Sequence, residues 1–193
     1  MKDKTVDAKR QTILQAAWQA FASYGYRKTS MDDIARGAGV SRPALYLYYR
    51  NKEDIFRSLA QRYYDEAVEM VSAALGAAGD VPDQLERAFT AQGGTIMRAM
   101  LSSPHGMELL DTSNATAADI IATGEARLTA AYAHWLNSQV QAGRVALQDT
   151  PQEVAATLTA ALKGIKTAAP QYDVYMRRVT RLAALLGGGL AAD

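Results

Sequence analysis

The chain has 193 residues, of which 49% are hydrophobic and 21% charged, proportions typical of a globular protein rather than a disordered one. It contains no cysteine, which excludes disulfides, thiolate metal sites and cysteine nucleophiles. The net charge is +1, but residues 1–52 contain ten basic and four acidic side chains, so this segment carries +6 and the rest −5. A basic segment joined to an acidic one favours a phosphate-bearing partner at one end, although a chance asymmetry of a solvated surface is the alternative.

No stretch of the sequence approaches the roughly 20 apolar residues that a membrane-spanning helix needs. The first residues are charged and lack the apolar segment of a secretion signal. We therefore expect a cytoplasmic protein that has no membrane partner.

Apolar residues recur at every third or fourth position and proline is scarce, which predicts an all-α protein. The first helix is predicted over 7–24 and ends at Gly25, which supplies a left-handed conformation. Two short helices follow, and a long helix is then predicted over 52–75. Further helices are predicted over 82–101, 115–141, 151–166 and 171–186. A short helix is predicted between the first two of these. The glycines at 187–189 and the last four residues are predicted to form a frayed tail.

The most informative pattern lies in residues 29–52. Ser30 and Ser41 can each cap a helix. Ala35 is small enough for two helices to touch, and Gly39, four residues later, tolerates the positive φ of a tight turn. The small core of this pair is predicted to contain Ile34, Val40 and Leu45. These spacings match a helix-turn-helix, whose second helix enters the major groove of DNA; a helical hairpin without a DNA role is the alternative.

The segment from Ile13 to Ile55 resembles the N-terminal domain of the TetR/AcrR family of regulators. The matching stretches are ILQAAWQAFASYGYRKTS, DDIARGAGVS, ALYLYY and NKEDIF. The family's Tyr-x-x-Phe is present here as Tyr46-x-x-Tyr49, a departure from the commonest form. The resemblance implies a three-helix helix-turn-helix DNA-binding domain over 1–52, joined to a helical effector-binding and dimerisation domain over 53–193.

The resemblance implies a set of DNA contacts that agrees with the chemistry of the residues. Arg42 is the candidate for a bidentate contact to guanine, and Pro43 or Ala44 can instead pack on a thymine methyl group. Phosphate contacts are expected from the tyrosine hydroxyls, from Lys52 and from the segment before the second helix. The complete set is Arg27, Lys28, Ser30, Ser41, Arg42, Pro43, Ala44, Tyr46, Tyr48 and Lys52. Tyr49 is expected in the core.

The resemblance also implies a homodimer in which the last two long helices of each subunit pair. The interface residues are expected to be Val154, Leu158, Leu162, Val179, Leu182 and Leu186; the alternative is that they face only the chain's own core. The middle helices would enclose a small-molecule effector. Its candidate contacts are Met97, Met100, Leu101, Met107, Leu110, Glu125, Tyr132, His134 and Trp135, for which ordinary core packing is the alternative.

We therefore expect a dimeric repressor that binds a palindromic operator in double-stranded DNA and is released by a small-molecule effector, with no cofactor and no metal. A DNA-binding regulator without small-molecule sensing is the main alternative. A helical-bundle enzyme is remote, because the sequence contains no Glu-x-x-His, HExxH, GxxxxGK or GxSxG motif.

Overall fold

The computed structural model describes residues 2–190, with side chains from residue 7 onward, and its regular elements in that range are all α-helices. This confirms the predicted all-α class. The helices are α1 (Lys2–Tyr24), α2 (Met31–Gly37), α3 (Arg42–Tyr46), α4 (Lys52–Gly76), α5 (Val81–Ser102), α6 (Gly106–Thr116), α7 (Ala118–Gln141), α8 (Pro151–Ala168) and α9 (Tyr172–Leu190). None of these helices has both the length and the apolar character needed to cross a bilayer.

The described chain forms two compact units. The head unit contains the residues up to Tyr63 together with Ala99–Ile121, and the body unit contains Tyr64–Arg98 and the chain from Ala122 onward. The head unit is therefore discontinuous in sequence, because α6 packs against α1. The functional division at residue 52 stays a prediction.

The core of the head unit forms around one face of α1. Ile13, Ala17 and Phe21 lie at intervals of four residues on that face and are completely buried, as the helical periodicity predicts. Phe21, Tyr26 and Phe56 form an aromatic cluster with ring centroids 5.2–5.7 Å apart. Phe21 is completely buried and Phe56 is 6% exposed, and a large apolar side chain contributes about 1.5–3 kcal/mol when it is fully buried, so the burial of these two rings stabilises the unit. Leu109 of α6 belongs to the same core.

The body unit packs α5 against α7. The rings of Phe89 and Tyr132 meet edge to face with centroids 5.8 Å apart, and the Tyr132 hydroxyl donates to Gln92 Oε1 at 2.9 Å. Helix α5 is kinked at Gly94, whose φ of 55° and ψ of −161° are not helical. Only glycine adopts such angles readily, so the kink depends on this residue.

Of the last two helices, α8 begins where it is predicted to begin, and α9 ends later than predicted. Helix α8 begins as expected, with the Thr150 hydroxyl accepting a hydrogen bond from the Glu153 N–H at 3.3 Å. Helix α9 continues through the glycines to Leu190, so the predicted frayed tail at 187–189 is wrong. Gly187 is buried against Pro82, and a Cβ at position 187 would lie 2.7 Å from the Pro82 Cα. The glycine thus lets the backbone of α9 approach α5. Residues 191–193 of the predicted tail lie outside the described residues.

Candidate nucleic-acid interface

Helices α2 and α3 form the predicted helix-turn-helix. Ser30 caps α2 through a reciprocal capping box: its hydroxyl accepts from the Asp33 N–H, and the Asp33 carboxylate accepts from the Ser30 N–H at 3.0 Å. Hydrogen bonds from Ser30 lower the pKa of Asp33 below its usual value. The turn passes through Gly39 with φ of 62°, and the Ser41 hydroxyl accepts from the Ala44 N–H to start α3. Local sequence signals therefore determine both helix starts and the turn.

The inner faces of these two helices pack into the head-unit core. Ile34 and Leu45 are completely buried, Ala35 is 3% exposed, and Val40 packs against them while partly exposed. Tyr49 is 8% exposed, which confirms its predicted place in the core. Because the apolar residues at each end of the turn are fixed, the opposite face of α3 is held outward.

The outward face of α3 carries the residues expected to read bases. Ser41, Arg42 and Pro43 are exposed, Ala44 is half-buried, and the Tyr46 ring is 43% exposed. Leu47, directly after α3, is 85% exposed, so it is not a core residue. The face therefore offers a guanidinium, apolar surface and a phenol side by side, a combination suited to base edges and thymine methyl groups in a major groove.

Arg42 is held by two neighbours on this face. Its Nη1 donates to Asp32 Oδ2 at 2.9 Å and its Nη2 to the Tyr46 hydroxyl at 3.4 Å. The hydrogen bond to Tyr46, with the negative charge of Asp32, raises the pKa of Arg42 above its usual value. Both members of the Arg42–Asp32 ion pair remain about half exposed, so the guanidinium is oriented by its neighbours and still reachable from solvent.

The segment Gly25–Ser30 lies between α1 and α2 and carries three of the predicted phosphate contacts. We call it the 25–30 loop. The buried Thr29 hydroxyl donates to the Gly25 carbonyl at 2.7 Å and so closes the loop on itself. Arg27 and Lys28 project from it as exposed cations, and no side-chain partner for either is found among the described residues. The Ser30 hydroxyl, in contrast, already takes part in the cap of α2.

Lys52 binds the backbone of the 25–30 loop. Its Nζ donates to the carbonyl oxygens of Tyr26, Arg27 and Thr29 at 2.8, 3.1 and 3.1 Å, and it lies 4.6 Å from the centroid of the Tyr26 ring. An ammonium group has three N–H donors, and here all three have a carbonyl acceptor. The phosphate contact predicted for Lys52 stays a prediction, and it competes with these three hydrogen bonds.

A groove of about 730 Å³ borders the C-terminal end of α3 in the head unit. Its lining contains Arg10, Arg50 and Arg57 together with the tyrosines at 46, 48 and 49. The Arg57 guanidinium holds Asp119 through two hydrogen bonds of 2.8 and 2.7 Å, which lowers the pKa of Asp119 to about 2. Neither Arg10 nor Arg50 has an ion-pair partner in the described part of the chain. These two arginines are cations of the groove that the sequence prediction did not include among the contacts.

Known proteins share both the motif and the fold. Residues 13–59 match the family model described as "Bacterial regulatory proteins, tetR family". The HTH-type transcriptional repressor Rv1474c of Mycobacterium tuberculosis is 30% identical over 156 residues, which cover 76% of this chain and 74% of the repressor. The chain belongs to the TetR family of DNA-binding transcriptional regulators.

Other known proteins match this chain over different lengths. The HTH-type transcriptional activator FasR of Mycolicibacterium smegmatis is 36% identical over 85 residues, which are 44% of this chain but only 39% of FasR. A TetR-family transcriptional regulator of Pectobacterium atrosepticum has a TM-score of 0.71 at 20% identity, with 98% of this chain and 97% of that one covered. This structural likeness shows that the TetR-family fold extends over nearly the whole chain.

The predicted effector contacts of this TetR-family chain divide between the two units. Met100, Leu101, Met107 and Leu110 belong to the head unit, and Met97, Glu125, Tyr132, His134 and Trp135 belong to the body unit. Met107 is 62% exposed and His134 is also exposed, so neither offers an enclosed surface. Glu125 accepts from the Lys163 ammonium at 2.9 Å. Met97, Tyr132 and Trp135 are buried.

The predicted dimer contacts of the chain also divide into two sets. Leu158, Leu162 and Val179 are no more than 4% exposed within the chain itself, so they offer no surface to a second subunit. Val154, Leu182 and Leu186 remain partly exposed. Leu185, which lies beside Leu182 and Leu186 on the apolar stripe of α9, is 69% exposed. The helical period identifies apolar stripes, but it does not identify which neighbour covers each stripe.

Proposed function

We propose that this TetR-family regulator is a dimeric repressor that binds a palindromic operator through two copies of the head unit. The observation that supports the proposal most directly is the outward face of α3, where Arg42 is oriented by Asp32 and Tyr46 while its guanidinium stays exposed. One head of this size makes too few contacts for selective binding, and two heads on successive major grooves would supply the remainder.

A binding-site selection tests this proposal. Purified protein is mixed with random duplex DNA, and the retained duplexes are sequenced after several rounds. We expect an inverted repeat whose half-sites are separated by about one helical turn or a multiple of it. Retention of DNA without sequence preference would contradict the proposal. The direction of regulation is then measured with a reporter gene placed behind the selected sequence, since the relatives include both a repressor and an activator.

The exposed apolar surface of α9 supports the dimer. Tyr175, Val179, Ala183 and Gly187 form the buried stripe of this helix, and Leu185 projects away from it. The helix thus has an inner stripe for its own unit and an outer apolar surface for a second copy. We expect Leu185→Glu to convert the dimer to a monomer in sedimentation experiments, because an ion on the interface is desolvated without a partner. Met70→Glu, at another exposed apolar residue (49%), is the matched control and should leave the mass unchanged.

Two buried polar atoms of the body unit support a small-molecule effector. The indole N–H of Trp135 and the side-chain carbonyl of Gln139, one helical turn apart on α7, are buried without a hydrogen-bond partner in the described structure. A buried polar atom without a partner costs about 1–3 kcal/mol, so a ligand that supplies both an acceptor and a donor would recover part of that cost. A thermal-shift screen should then find compounds that raise the melting temperature, and the same compounds should release the selected operator.

The alternative is a regulator that does not sense small molecules. The Tyr132 hydroxyl and the Glu125 carboxylate, both predicted effector contacts, already have partners within the chain, and this observation favours that alternative. A broad panel that produced no thermal shift, with operator binding intact, would support it over effector release.

A further inference from the structure

Helix α6 reaches the 25–30 loop through one carboxylate. Glu108 Oε1 accepts a hydrogen bond from the backbone N–H of Arg27 at 2.9 Å, although the two residues are 81 positions apart in the sequence. The Glu108 side chain is only 28% exposed. A charge-assisted hydrogen bond in partly buried surroundings is stronger than one between neutral groups. This bond therefore fixes the backbone of the loop at the residue that carries one of its two exposed cations.

Glu108 is itself held at the start of α6. Its second oxygen lies 3.5 Å from the Nδ1 of His105. The His105 backbone N–H donates to the Ser103 hydroxyl at 3.0 Å, and that hydroxyl donates to the Ala22 carbonyl of α1 at 2.7 Å. Gly25, which begins the loop, leaves the space that the side chains of His105 and Glu108 enter. The segment before α6 is thus tied to the end of α1, and Glu108 is placed at the 25–30 loop.

Lys52 holds the same loop from another direction, through the carbonyls of Tyr26, Arg27 and Thr29. The carbonyl of Arg27 is therefore bound by a cation and its N–H by an anion. A peptide segment with both backbone groups fixed loses most of its conformational freedom before any ligand binds. Side chains that project from such a segment bind with a smaller loss of entropy.

We propose that Glu108 is a positioning residue of the DNA-binding surface, which holds the 25–30 loop so that Arg27 and Lys28 reach the phosphates that flank the recognition helix. The inference rests on the proposed function, because it requires that the head unit binds DNA. It adds a residue outside the helix-turn-helix to the residues on which DNA affinity depends. Glu108 does not touch DNA, and it acts through the backbone of Arg27.

Salt-dependent DNA binding of the whole 193-residue chain tests the inference. Anisotropy with a labelled duplex of the selected operator, measured from low to high KCl, gives the slope of log K against log[salt], whose magnitude is about 0.9 for each phosphate that the protein neutralises. We expect Glu108→Ala to bind roughly ten-fold more weakly and to reduce the magnitude of the slope by about one. Glu108→Gln keeps a carbonyl oxygen for the Arg27 N–H and should stay within about two-fold of the wild type.

The control variant removes the same charge from the same helix without touching the loop. Asp111 of α6 is exposed and has no side-chain partner among the described residues, so Asp111→Ala should not weaken binding. A lower melting temperature of Glu108→Ala with an unchanged salt slope would assign Glu108 a structural role only and overturn the inference.

A double-mutant cycle tests whether Glu108 affects DNA binding through the positions of Arg27 and Lys28 or by another route. With Arg27 and Lys28 both replaced by alanine, the additional Glu108→Ala change should alter the slope no further, because the side chains that it positions are already absent. Full additivity of the two effects would overturn the inference while leaving the DNA-binding function intact. Failure of the proposed function is distinguishable, since the wild type would then select no operator.

Discussion

Replacing Lys52 by methionine tests whether this lysine ties the 25–30 loop or grips DNA. Methionine keeps an unbranched apolar side chain and removes the ammonium, so the three hydrogen bonds to the carbonyls of Tyr26, Arg27 and Thr29 are removed together. A hydrogen bond to a charged group contributes about 1.5–3 kcal/mol to stability. The three bonds share one cation that water solvates again on unfolding, so we expect a total loss of about 2–4 kcal/mol rather than the sum.

Urea unfolding followed by circular dichroism measures this loss as a shift of the midpoint at constant m-value. In thermal unfolding the same loss corresponds to a decrease in Tm of roughly 4–16 °C, at 2–4 °C per kcal/mol for a chain of this size. Lys28→Met is the matched control, because Lys28 is exposed and has no side-chain partner in the described structure. It should change the stability by less than about 0.5 kcal/mol and reduce the magnitude of the salt slope of DNA binding by about one.

If Lys52→Met keeps the full stability of the wild type and behaves in the salt titration as Lys28→Met does, then Lys52 is a phosphate ligand, as the sequence predicts. The three carbonyl contacts would then contribute nothing measurable. A loss of stability in Lys52→Met that is absent from Lys28→Met would establish the tie instead.

Three further predictions concern the recognition helix, the body unit and an ion pair. Arg42→Ala should weaken binding to the selected operator and relax the preference at one base pair of each half-site by about 1–3 kcal/mol; an unchanged preference in a repeated selection would exclude base reading by this residue. Gly187→Ala should lower the Tm because its Cβ meets a neighbouring backbone, whereas Gly188→Ala meets nothing within 4 Å and should be neutral or raise it; equal effects would contradict the packing. Asp119 has a folded-state pKa of about 2, below its unfolded value, so its contribution to stability is complete above about pH 5 and disappears as the pH falls towards 2. Asp119→Asn should therefore flatten the acid limb of the stability curve, and an unaltered limb would exclude this contribution.

The parts of the site that depend on short stretches of sequence were predictable. The caps at Ser30 and Ser41 act on N–H groups three residues away, and Gly39 acts on its own φ angle. Such signals lie within one or two helical turns, so the sequence carries them without any knowledge of the fold. The buried face of α1 follows for the same reason, because its residues recur at the helical period.

The contacts that the sequence did not predict join residues far apart in the chain. The acceptors of Lys52 lie 23 to 26 positions before it, and Glu108 lies 81 positions after Arg27. Gly187 looked like part of a flexible tail because nothing near it in sequence shows that Pro82 lies against it. The structural role of a cation or a glycine can be assigned only when its neighbours in space are known. The helical period, likewise, identifies an apolar face of a helix without identifying the helix that packs against it.

The contacts of Arg42 and Lys52 lead us to expect different roles for these two cations in the same head unit. The ion pair of Arg42 with Asp32 is about half exposed, and a solvent-exposed ion pair of this kind stabilises the fold little. A bidentate contact of Arg42 to guanine would contribute about 1–3 kcal/mol of discrimination between bases, so we expect Arg42 to exchange Asp32 for guanine at the correct base pair. Lys52 would have to give up its hydrogen bonds to three carbonyls to bind one phosphate, whereas the exposed Arg27 and Lys28 would bind phosphate with no such loss. We therefore expect Arg42 to leave Asp32 when it meets DNA and the half-buried Lys52 to keep its three carbonyl acceptors.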